Sequence, residues 1–99
     1  MKIIIDEQSV AWYRKELDLD DGDSIRFFPR YGGYSPIQSG FSLGISPEPV
    51  LDGKVKKEKG GLTFFVEDDD LWYFDGHDLE VRYDEKKAEP TFQIGRAHV

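Results

Sequence analysis

The sequence predicts a small, mainly-β (α+β) fold, a sandwich or barrel of about seven short strands carrying one N-terminal amphipathic helix. Three observations carry this expectation. Apolar and polar residues alternate at Phe41-Leu43-Ile45 and again at Leu79-Val81-Tyr83, the period of a strand with one buried face. Turn-forming residues recur between the apolar segments, at Asp20-Asp21-Gly22, Asp52-Gly53, Gly60-Gly61 and Asp75-Gly76. Helical spacing is confined to Glu7–Leu17, where Val10, Tyr13 and Leu17 share one face at i, i+3 and i+7.

In chain order, Ile3-Ile4-Ile5 is a β-branched run suited to a first strand. Asp6 offers a side-chain oxygen to the amides of a helix starting at Glu7, whose charge suits that positive end. Trp12 falls at the border of the helix's apolar stripe, and Asp20-Asp21-Gly22-Asp23 turns the chain. Ser24 to Tyr31 reads as a strand with Ile25 and Phe27 inward and Arg26 outward. Pro29 lacks an amide donor, which places it at an edge or a bulge. A loop of Gly, Ser, Pro and Tyr over residues 32–40 then leads into the Phe41-Leu43-Ile45 strand, which Pro47 and Pro49 break.

Asp52-Gly53 suits a primed hairpin turn into a charged, exposed strand from Val55 to Lys59. Gly60-Gly61 turns that strand back into Leu62–Val66, whose apolar residues on both sides indicate burial on both faces. Glu67-Asp68-Asp69-Asp70 is an acidic cap for a single helical turn at Leu71–Phe74, stopped by Asp75-Gly76. Leu79, Val81 and Tyr83 mark a half-buried strand, Asp84 to Pro90 a polar connection, and Phe92 with Ile94 a final short strand.

Ninety-nine residues suffice for one domain, taken as 1–99. Seven Phe, five Tyr and two Trp supply a core without cross-links. The chain has no cysteine, which excludes disulfides, thiolate catalysis and thiolate-held zinc or clusters. Its net charge is −7, with 20 acidic residues against 13 basic ones, so it repels a nucleic-acid backbone overall. Glu58 interrupts the basic run from Lys54 to Lys59. No apolar run approaches the ~20 residues that span a bilayer. Met1–Ile5 meets Asp6 too soon for a secretory signal. The expectation is a cytoplasmic protein with no membrane or nucleic-acid partner.

Asp68-Asp69-Asp70 lacks the alternating spacing of a calcium loop and reads as a solvated helix start. Asp75-Gly76-His77-Asp78 sets an imidazole between two carboxylates, the weak metal candidate here, although further ligands have to come from elsewhere, His98 among the options. Its plain alternative is a turn. No Gly-x-Ser-x-Gly elbow and no Gly-Lys-Ser/Thr phosphate loop occur, so no enzyme activity and no cofactor are expected. Tyr31, Tyr34 and Gln38 remain as an aromatic and polar recognition surface on the loop, set against simple packing of the two tyrosines on the sheet.

Two segments carry a family resemblance. Arg30-Tyr31-Gly32-Gly33-Tyr34-Ser35, followed by Phe41-Ser42-Leu43-Gly44-Ile45, resembles the central segment of the HesB/IscA family of iron–sulfur cluster biogenesis proteins. Leu71-Trp72-Tyr73-Phe74-Asp75-Gly76, with the strand after it, is similar to that family's apolar turn and Asp-Gly pair. The resemblance spans about residues 2 to 94 and implies a HesB-like β-sandwich or barrel. Family members accept iron or a nascent cluster on cysteines and pass it on. Here Tyr34 stands at the first cysteine's place, and the chain ends Ile94-Gly95-Arg96-Ala97-His98-Val99 without Cys-Gly-Cys. The resemblance therefore implies a cysteine-free member with a binding or accessory role. The alternatives are a protein–protein interaction module unconnected to iron–sulfur chemistry, homodimeric or with another protein, and weak iron binding through Tyr, His and carboxylate groups.

Overall fold

The computed structural model describes residues 1–31 and 41–96. In chain order these form β1 (Ile3–Ile5), α1 (Glu7–Glu16), β2 (Ser24–Tyr31), β3 (Phe41–Pro47), β4 (Val55–Lys59) and β5 (Leu62–Val66). A 3-10 turn (Asp68–Asp70) follows, then α2 (Leu71–Phe74), β6 (His77–Asp84) and β7 (Glu89–Arg96). The strands make two sheets, a three-stranded one ordered β1-β6-β7 and a four-stranded one ordered β3-β2-β5-β4. β1 runs parallel to β6 and β2 parallel to β5, while the remaining neighbours are antiparallel.

The sheets are open, so the barrel alternative is corrected. Where the edges β1 and β4 approach, the link is a side-chain bond from Lys59 Nζ to the Ile5 carbonyl (2.8 Å) rather than a backbone ladder. The helical turn offered by the sequence at Leu71–Phe74 is present as α2, so the described residues hold two short helices.

Helix α1 starts as its sequence dictates. Asp6 is extended (φ −86°, ψ 164°), and its Oδ1 accepts the Ser9 amide at 2.9 Å. Its other oxygen accepts the Tyr83 amide at 2.9 Å, and its own amide donates to the Val81 carbonyl. One residue thus caps the helix and ties it to β6. Burial pushes the Asp6 carboxyl up, but the Ser9 side chain, the Tyr83 and Ser9 amides and the Arg82 charge together hold it below its ordinary range.

The core draws on both sheets and both helices. Ile3, Ile5, Leu79 and Val81 come from the first sheet, and Ile25, Phe27, Leu62, Phe64 and Val66 from the second. Val10 and Tyr13 of α1, Leu19 just after it, and Tyr73 and Phe74 of α2 complete it. Phe27 and Phe64 stack 6.0 Å apart, with the Tyr13 ring 6.4 Å and 6.0 Å from them, and Phe92 of β7 meets Phe27 edge-on at 6.0 Å. Each fully buried phenylalanine among them contributes about 1.5–3 kcal/mol by leaving water, and the partly exposed Phe92 less. Leu17, expected on the buried stripe, is half-buried at the helix C-cap and packs against the core, and Ser9 is buried as well.

Three connections bear on the surface described next. Pro29 is accommodated because β5 accompanies β2 only from Ser24 to Arg26, leaving one side of β2 without a ladder beyond that point. Gly60-Gly61 makes the β4–β5 hairpin with both φ positive (+61° and +81°), the signature of a type I′ turn. Asp52-Gly53, in contrast, is not a hairpin turn. β3 and β4 occupy opposite edges of the four-stranded sheet, so residues 48–54 are a crossover between them. The polar connection after β6 is also shorter than expected, because β7 begins at Glu89, paired with Asp84.

Candidate interaction surface

The crossover lies on the outer face of the four-stranded sheet. Phe65 of β5 points to that face yet is fully buried, because Gly53 sits against it. A Cβ on Gly53 would lie 3.1 Å from the Phe65 ring and 3.0 Å from the Val66 carbonyl, so a larger residue here would require these neighbours to give by a few tenths of an ångström. Phe65 thus gives β5 its second buried face.

Arg26 anchors the crossover. It projects outward from β2 between Ser46 of β3 and Phe65 of β5. Its guanidinium donates to Asp70 Oδ2 at 2.7 Å and to Glu48 Oε1 at 3.2 Å, and its Cζ lies 5.2 Å from the Phe28 ring centre. The Asp70 hydrogen bond, with the Glu48 carboxylate adding to it, holds the guanidinium above its ordinary range despite partial desolvation. Two further bonds run parallel to this clamp. The Asp52 amide donates to the Glu67 carboxylate at 3.3 Å, and the Lys54 amide to Asp68 Oδ1 at 3.2 Å.

These bonds lay the crossover alongside the acidic turn. Each segment carries one large apolar side chain into solvent: Leu51 is 78% exposed and Trp72, just after the turn, is 50% exposed. Two apolar side chains are thus exposed on or beside segments that carry several carboxylates and are tied together through Glu48, Asp52, Lys54 and Asp70.

Those of the site residues expected from sequence that the structure describes lie elsewhere. Tyr31 ends β2 opposite Phe41, while Tyr34, Gln38 and His98 fall outside the described residues. Asp75 is the left-handed C-cap of α2 (φ 48°), its amide bonded to the Trp72 carbonyl. His77 and Asp78 are neighbours in β6 and so project to opposite faces. The Asp78 carboxylate accepts the Lys2 amide at 2.8 Å. Among the described residues, no three His, Asp or Glu side chains gather as a metal site. Asp68 and Asp70 are directed at separate partners, Lys54 and Arg26.

Sequence reasoning missed Arg26, Glu48 and Asp70 as a unit, because 22 and 44 residues separate the arginine from its partners and no local pattern links them. Leu51 did carry a signal: a lone leucine in a segment bracketed by Pro47, Pro49 and Gly53 has no core face to join.

Comparison with known proteins places these features in context. No family model matches the chain. It is 50% identical over 93 residues to a Bacillus subtilis protein named pyruvate dehydrogenase inhibitor, covering 94% of this chain and 98% of that one. It is 37% identical over 84 residues to an uncharacterized protein of Staphylococcus saprophyticus (82% of this chain, 86% of that one). A Staphylococcus haemolyticus protein, also uncharacterized, is 34% identical over 99 residues, covering 88% of this chain and the whole of that one. The resemblance to the HesB/IscA family is thereby corrected: no family model supports it, and the relative with a named activity is an enzyme inhibitor rather than an iron–sulfur assembly protein. The residues behind that resemblance were turn glycines and serines beside alternating or clustered apolar residues, a pattern that many small β folds share. No helix among the described residues is long and apolar enough to cross a membrane.

Proposed function

This chain belongs to the family of the Bacillus subtilis pyruvate dehydrogenase inhibitor, and we propose that it inhibits pyruvate dehydrogenase by binding it, without catalysing a reaction of its own. The observation that carries this reading is the half-identity to that protein across nearly the full length of both chains. The described surface is compatible with it. Glu48, Glu67, Asp68 and Asp70 are bonded into the crossover clamp, where they shape a contact face. The proposal puts the chain in the cytoplasm with its target.

The test is a titration of purified pyruvate dehydrogenase with this protein, following pyruvate-dependent NAD⁺ reduction. The expected result is a saturable fall in rate, together with a complex that co-elutes in size-exclusion chromatography. An unchanged rate at large molar excess, with no complex, overturns the reading.

A further inference from the structure

We propose that Leu51 and Trp72, with the acidic rim around them, form the docking face of this protein, and that its occupant is a basic protein surface with apolar recesses. This rests on the inhibitor reading above, under which the target enzyme has to present such a surface. A single exposed leucine carries no message, since much of any protein surface is apolar. Leu51 differs in how it is held. Glu48 on one side is bonded to Arg26, and Asp52 on the other to Glu67, so the backbone presenting the leucine is fixed before any partner arrives. Fixing it beforehand removes part of the ordering cost of association. Trp72 lies two residues after Asp70, the other end of the same clamp, and tryptophan is among the side chains that dominate binding energy at interfaces.

Charge selects the partner. Six carboxylates belong to the crossover and turn (Glu48, Asp52, Glu67, Asp68, Asp69 and Asp70), against the cations Arg26 and Lys54. Asp69 is exposed between two bonded aspartates. This face therefore holds much of the chain's −7 charge, and it attracts a basic surface over a distance of about a Debye length. The apolar pair supplies slow dissociation and the rim supplies fast, salt-sensitive association.

The experiment measures association and dissociation of the purified target enzyme with the wild type and three variants. These are Leu51→Ser, Trp72→Ser and Asp69→Lys, with Glu16→Gln/Glu85→Gln as an exposed, charge-neutralising control and circular dichroism to verify folding. Leu51→Ser and Trp72→Ser are expected to weaken binding about tenfold or more, mainly through faster dissociation. Asp69→Lys is expected to slow association and to flatten its fall between about 50 and about 200 mM salt, with the control unchanged. A wild type that neither binds nor inhibits overturns the inhibitor reading and this inference with it. A wild type that inhibits while folded Leu51→Ser binds within about twofold of it overturns the docking face alone.

Discussion

Replacing Arg26 by methionine removes the clamp while keeping most of the aliphatic stem. Asp70 retains 14% of its side-chain exposure and Arg26 28%, so the ion pair is only partly buried. Breaking a fully buried pair costs about 3–5 kcal/mol, because the remaining charge loses its partner inside the protein. Residual solvent access relieves part of that penalty and leaves about 2 kcal/mol for the orphaned Asp70. Glu48 is 38% exposed and adds about 0–1 kcal/mol, and loss of the cation over Phe28 adds about 0.5 kcal/mol. The expected destabilisation is about 2.5–3.5 kcal/mol, which lowers Tm by roughly 10–28 °C in a domain of this size.

Thermal and urea unfolding followed by far-ultraviolet circular dichroism reads the change. Arg26→Met combined with Asp70→Leu is expected to recover about half of the loss or more, since removing both partners leaves no buried charge unpaired. Arg26→Met within about 0.5 kcal/mol of wild type, or a double variant no more stable than the single one, refutes the reasoning.

The remaining predictions concern the fold that supports the clamp. Asp6→Asn keeps one acceptor for Ser9 or Tyr83 but not both; because the Asp6 carboxyl is held below 3.8, its stabilisation is full above that pH and is lost as pH falls through its folded value. The stability gap between wild type and Asp6→Asn, measured by urea denaturation, is therefore expected to be constant near neutrality and to close in the acid range. Gly60→Ala places a Cβ 2.8 Å from Val10 Cγ1 at φ +61°, whereas Gly22→Ala at φ +93° meets nothing within 4 Å. Both carry a backbone penalty of about 1–2 kcal/mol, and Gly60→Ala is expected to exceed Gly22→Ala in urea unfolding by about 1 kcal/mol from the added clash. Phe64→Ala opens a cavity beneath Tyr13 and Phe27 and is expected to cost about 3–5 kcal/mol, measured the same way.

How far each element was legible follows from the range of the interactions that fix it. Leu79, Val81 and Tyr83 announce their strand because side-chain alternation is local, and Asp6 announces α1 because a cap acts within three residues. Leu62–Val66 reveals its two buried faces through an unbroken apolar run. The partners of each strand were not legible. Nothing near Ile25 says that β2 runs parallel to β5, and nothing near Asp52-Gly53 says that β4 returns to the far edge of the sheet. A dipeptide with turn chemistry serves a hairpin or a crossover equally, and only the pairing of the flanking strands distinguishes them. The candidate site suffered most, because Arg26, Glu48 and Asp70 meet only once that crossover is in place.

The three consecutive aspartates show what local reading omits and what it permits. Read alone, they are acids at the start of a helical turn, solvated and interchangeable. In the fold, Asp68 accepts the Lys54 amide and Asp70 pairs with Arg26, while Asp69 between them is exposed. The outer two hold the crossover in position, so altering either one disturbs both stability and surface shape. Asp69 contributes charge to the face without holding it together. Substitution there separates attraction of a partner from integrity of the fold, a separation that neither neighbour allows. If Asp69→Lys impaired binding only in proportion to a loss of stability, the acidic face would be scaffolding. If binding fell while the unfolding midpoint stayed put, the same three-residue run would hold scaffold and recognition side by side.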